Sequence, residues 1–60
     1  MKDVIVIYTD NIQERFEALR VMDKMVIIGR ILEGEFVNCG MIPKGNIKEI
    51  YDGSRKIQLN

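Results

Sequence analysis

The chain is 60 residues long, 47% apolar and formally neutral, with nine basic and nine acidic side chains, no histidine and one cysteine. That length holds one domain, 1–60, and excludes a large interior, because a chain of this size buries only about 60% of the surface it exposes when unfolded. The missing histidine and the lone thiol exclude an internal disulfide, a four-ligand zinc site and histidine-based triads, and the charge balance argues against binding nucleic acid chiefly by counterion release.

Val4-Ile5-Val6-Ile7-Tyr8 is β-branched or aromatic at every position. Such a run predicts a strand covered on both faces, by the core and by a neighbouring subunit. Thr9-Asp10-Asn11 supplies turn chemistry, since Asp and Asn bond to nearby backbone and tolerate a left-handed conformation. Ile12 to Met22 carries two patterns. As a helix, Asp10 with Gln13 resembles a capping box and Ile12, Phe16 and Leu19 share a face. As a strand, Phe16 and Ala18 point one way and Arg15, Glu17 and Leu19 the other. The tight turn directly after an apolar strand favours a hairpin, so the strand is preferred, with a β-α-β-β-β chain and a helix at 11–22 as the alternative.

After Asp23-Lys24, Met25 to Leu32 forms a second apolar strand in which Gly29 marks a bulge or bend. Glu33-Gly34-Glu35 is a tight loop, and Phe36 to Ile42 returns antiparallel. Pro43 ends that strand, Lys44-Gly45-Asn46 turns the chain, and Ile47 to Tyr51 extends again. Asp52-Gly53 is a further turn, after which Arg55 to Leu59 forms a short last strand with Ile57 and Leu59 inward. Turns recurring every 8–12 residues, about the spacing of a small barrel or sandwich, predict a mostly β fold of about five strands.

The segment Ile42-Pro43-Lys44-Gly45-Asn46-Ile47-Lys48-Glu49-Ile50 resembles the I-P-x-x-N-[IV]-x-x-I ending of small SH3-like and Sm-like barrels, PRC-barrel domains among them. The resemblance covers the last third of the chain, with a looser likeness at the first hairpin. It implies a small SH3-like antiparallel barrel or strongly bent sheet, a one-turn 3₁₀ helix at Lys44-Gly45-Asn46, and Ile47 and Ile50 dropping into the open end. Folds of this kind host peptide binding, RNA binding and oligomeric scaffolding, and the resemblance carries over no catalytic residue.

Chemistry-bearing groups are few. Gly40 to Asn46 has part of the spacing of a phosphate loop, but Asn46-Ile47 stands where Lys-Ser/Thr is required. Lys44, Gly45 and Asn46 could hold one phosphate or carboxylate, with a plain connecting turn as the competing reading. Tyr8, Arg30, Tyr51 and Arg55 are the candidates for base stacking or guanidinium recognition. Cys39 reads as a buried structural thiol and Met22, Met25 and Met41 as core filler, the alternative for the methionines being an adaptable groove.

Together these features predict a non-enzymatic, cytoplasmic, homo-oligomeric binding module with no cofactor, metal or membrane segment, whose partner is a protein or a small anionic ligand. A second reading is a phage-type sponge that sequesters a small nucleotide signal in intersubunit pockets near Lys44 and Arg55. A third is a small Sm-like RNA-binding regulator, disfavoured by the neutral charge.

Overall fold

β-Branched residues lose rotamer freedom in a helix and pack well on a pleated surface, so the segments richest in them become strands. The computed structural model describes residues 3–59 and contains β1 (Val4–Tyr8), β2 (Gln13–Phe16), β3 (Ala18–Val21), β4 (Met25–Leu32), β5 (Glu35–Pro43), a one-turn 3₁₀ helix (Lys44–Asn46), β6 (Ile47–Asp52) and β7 (Arg55–Lys56). No α-helix occurs among the described residues. The strands form two antiparallel sheets, one ordered β2-β1-β6-β7 and the other β3-β4-β5.

The strand reading of Ile12 to Met22 stands, and the helix at 11–22 does not form. What the sequence suggested as one strand is two, divided at Glu17. β2 pairs with β1, placing Phe16 opposite Val4, while β3 pairs with β4, placing Leu19 opposite Ile28. The division shifts the alternation by one position, so Phe16 and Leu19 both pack against the core, instead of facing opposite ways. Glu17 also serves the corner chemically, its Oε1 accepting from the Ile31 N–H at 2.7 Å where β4 runs past the end of β3. Asp10 Oδ1 accepts from the Ile12 N–H at 3.1 Å and Asn11 takes φ 70°, fulfilling the turn expected there.

The inner faces of the two sheets meet in a core of Val4, Val6, Val26, Ile42, Ile47 and Ile50. Val6, Val26 and Ile50 are wholly enclosed. Tyr8, Phe16, Leu19, Val21, Ile28, Ile57 and Leu59 pack around them. Ile47 and Ile50 thus take the inward positions expected of them, and so do Ile57 and Leu59, although the last strand is only Arg55–Lys56. The Lys44–Asn46 turn ties the sheets at one end, with the Thr9 N–H donating to the Asn46 carbonyl at 3.0 Å and the Lys44 N–H to the Lys24 carbonyl at 3.2 Å. No barrel is closed: the described residues make two sheets of four and three strands, seven in place of about five.

Three local expectations are corrected. β1 is buried on one face only; Ile5 and Ile7 on the other are half-buried, flanked in register by Arg15 and Tyr51, and by Gln13 and Glu49. Cys39 is exposed, because it is the extra residue of a bulge in β5: Ile28 faces Gly40 and Gly29 faces Asn38, leaving Cys39 without a partner across the ladder. Met22, Met25 and Met41 are exposed as well, since the small core is filled by valine and isoleucine.

The bulge foreshadowed by Gly29 has a steric cause. A Cβ added there would lie 2.2 Å from the Val37 carbonyl oxygen and 2.7 Å from Phe36 Cζ, so the Phe36 ring can cover the β4 backbone only if residue 29 has no side chain. Gly29→Ala should therefore lower unfolding free energy by about 2–3 kcal/mol, as for other overpacked interiors. Gly45→Ala, where an added Cβ meets nothing within 4 Å, should be near neutral. Urea titrations of the two variants against the parent chain check the contrast.

Candidate functional site

The residues singled out as ligand candidates lie in three separate places. At the 3₁₀ end, Lys44 is half-buried and its Nζ donates to the Leu59 carbonyl, so the ammonium straps the C-terminal segment to the body. Gly45 and Asn46 are exposed beside it, and the Asn46 main-chain carbonyl is taken by Thr9. Tyr8 stands at this same end, paired in register with Ile47.

Tyr51 lies along β6, opposite Ile5 on one side and Lys56 on the other. Its hydroxyl donates to Glu49 Oε2 at 3.2 Å, and the same carboxylate oxygen is paired with Lys56 Nζ at 3.3 Å. Arg55 faces Asp52 across the β6–β7 turn, where Asp52, Arg55, Lys56, Ile57 and Gln58 line a shallow groove. Arg30 is in the other sheet, opposite Val37 in the part of the β4–β5 hairpin beyond the end of β3. These seven residues are thus spread over both sheets and the Lys44–Asn46 turn. Among the described residues no group of three or more histidine, cysteine, aspartate or glutamate side chains could hold a metal ion, and no helix is long and apolar enough to cross a membrane.

Among the described residues Tyr8 has the one clearly displaced acidity. Its hydroxyl donates to Glu14 Oε1 at 2.5 Å. Partial burial, that hydrogen bond, and the charges of Glu14 and Asp10 all oppose a phenolate, and together push its pKa from 10.0 to about 12. A general base this reluctant is of no use near neutrality; the pair is a clasp between β1 and β2.

The outer face of β3-β4-β5 gathers Met22, Met25 and Met41, for which the sequence offered an adaptable groove only as the alternative to core filling. Because Val26 and Ile42 point inward, their neighbours Met25, Ile27 and Met41 point out, and Ile27 faces Met41 across the ladder. Ile31 faces Phe36 further along, with the Phe36 ring over Gly29. Met22 joins at the β3 end, its N–H donating to the Met25 carbonyl at 2.8 Å. Among the described residues at these register positions the only charge is Arg20, opposite Ile27, whose guanidinium carbon lies 4.8 Å from the centre of the Phe36 ring. At such an exposed site the cation–π contact is worth about 0.5–1 kcal/mol.

An antiparallel sheet with one wet face normally alternates apolar and polar residues. β1 does not alternate, but its outward Ile5 and Ile7 are flanked in register by Arg15 and Tyr51 and by Gln13 and Glu49. The outward residues of β4 have no such polar flanks apart from Arg20. The sequence signal of this face is Met25-Val26-Ile27-Ile28, an unbroken apolar run with side chains enough for both faces of the strand. Beside it, Met22, Asp23, Lys24, Met25 and Ile27 line a shallow, mostly apolar depression.

Comparison with known proteins found no matching family model, no matching curated protein and no matching solved structure.

The Tyr8 clasp predicts a pH response. A folded-state pKa near 12 above an unfolded value of 10.0 means that the stabilisation is complete below pH 10 and is lost as the pH rises towards 12. In a Tyr51→Phe background, absorbance titration of the remaining tyrosine should give a midpoint of about 12. Glu14→Gln should move that midpoint down, by removing the nearby negative charge, and flatten the alkaline loss of stability.

Proposed function

We propose that this protein is a non-enzymatic protein-binding module that works through the outer face of its β3-β4-β5 sheet. The observation that carries the reading is the placement of exposed large apolar side chains. Of the seven such residues described, Met22, Met25, Ile31 and Met41 lie on this outer face, Ile12 lies in the β1–β2 turn, and Leu32 and Val37 take opposite-face register positions where the β4–β5 hairpin runs beyond β3. Met41 leaves 63% of its surface in water, more than any other large apolar residue described. Methionine suits an adaptable contact surface, being unbranched and polarizable, and Arg20 over Phe36 adds the aromatic and guanidinium groups that dominate protein interfaces.

The architecture supports the same reading. A strand that bends from one sheet into the other at Glu17, a 3₁₀ turn directly before the last long strand, and pairing of that strand with β1 are features of a partly open SH3-like fold, a scaffold suited to presenting a sheet face. The absence of histidine from the chain and the dispersal of Lys44, Arg30, Tyr51 and Arg55 favour binding over catalysis and over a nucleotide pocket within one subunit.

The reading is tested by affinity recovery from extract of cells producing the tagged protein, with the retained species identified by mass spectrometry. Met41→Glu should abolish retention of protein partners, while Arg55→Ala with Lys56→Ala should leave it unchanged. Retained nucleotide or RNA that survives Met41→Glu and disappears with the basic substitutions would overturn it.

A further inference from the structure

Resting on the proposed binding face, we infer that its occupant is a second copy of this chain, packed face to face so that the two β3-β4-β5 sheets form a symmetric sandwich with strands running in opposite directions. Three observations lead there. The apolar residues form a stripe running the length of the strands, from Met22 and Met25 at one end to Ile31 and Phe36 at the other, which a second sheet packed at about 10 Å covers along its whole length. The chain is formally neutral, so two copies meet without net repulsion.

Area agrees as well. Met22, Met25, Ile31 and Met41 keep between 36% and 63% of their surfaces exposed. At roughly 200 Å² for a large side chain this is about 400 Å² of apolar surface, within the 300–600 Å² of the largest patch on a typical monomer. With Arg20, Pro43 and the loop rims, two such faces reach about 1,200 Å², the lower bound of a specific stable interface. A reversible dimer of micromolar affinity is the expected result.

Charge at the two ends of the sheet selects the symmetry. The end at the β3–β4 turn carries Lys24 and Lys44 against Asp23 and is net positive. The end at the β4–β5 turn carries Glu33 and Glu35 against Arg30 and is net negative. A two-fold axis running across the strands lays the positive end of each copy over the negative end of the other. An axis along the strands would place like ends together, so the crossing axis is the one the charges allow.

Sedimentation equilibrium across a concentration series reads the assembly directly. The parent chain should dimerise reversibly, and Met41→Glu, at a solvent-facing position that leaves the core untouched, should weaken association at least about tenfold. Lys24→Glu alone and Glu33→Lys with Glu35→Lys alone should each weaken it too. Mixing these two variants should restore dimers, because the 1:1 heterodimer matches opposite charges at both ends.

A parent chain that stays monomeric to about 1 mM, or a Met41→Glu variant that dimerises normally, overturns the second-copy assignment. Dimers lost with Met41→Glu but indifferent to the charge exchange overturn the antiparallel arrangement. A monomeric parent that still retains a foreign protein through Met41 sinks this inference and spares the binding face; Met41→Glu behaving as the parent in both assays removes both.

Discussion

The structure depends on one contact between sheets, where Val6 and Ile50 of the four-stranded sheet close over Val26 and Ile42 of the three-stranded sheet. Six buried apolar residues carry this meeting, drawn from strands far apart in sequence. The division at Glu17 lets neighbouring strands join different sheets, and the Lys44–Asn46 turn carries the chain back from β5 to β6 beside β1. Burial of aliphatic side chains at about 25 cal/mol per Å² makes such a core favourable, yet the interior is so small that little is left over after chain entropy.

That economy has a consequence on the outside. Inner positions of β4 and β5 are occupied by Val26, Ile28 and Ile42, so Met25, Ile27, Ile31, Phe36 and Met41 have no interior to enter and line the opposite face. The outer face of the other sheet meets the same problem differently, with Ile5 and Ile7 flanked by Gln13, Arg15, Glu49 and Tyr51. One sheet therefore carries a partly shielded outer face and the other an open apolar one. The exposed methionines belong to the second, where a flexible, polarizable side chain tolerates both water and a partner.

Polar groups in this molecule mostly tie strands and segments together. Tyr8 with Glu14 joins β1 to β2, Glu17 receives the Ile31 N–H at the corner, Lys48 Nζ donates to Asn11 Oδ1 at 3.0 Å, and Lys44 holds the Leu59 carbonyl. At the β5 edge, Asn38 Oδ1 accepts from the Gly40 N–H at 2.8 Å across the bulge, which interrupts an edge strand that would otherwise present a continuous ladder. Lysines and tyrosines that look like ligand groups in a sequence are thus largely engaged within the fold.

Much of the secondary structure was readable residue by residue, because β-branched runs, the Glu33-Gly34 turn with φ of 51° and 80°, and Pro43 act over a few positions. Gly29 announced a bulge for the same local reason. The sequence by itself determined a mostly β chain with neutral charge and no histidine chemistry. Only the tertiary structure decided where Ile12 to Met22 divides, which faces of β1 and β4 meet the core, and that Cys39 and the methionines lie outside it. Those outcomes follow from the register between strands distant in sequence. A one-residue shift there, as at Glu17 or Cys39, reverses which side chains reach the interior while leaving local propensities the same.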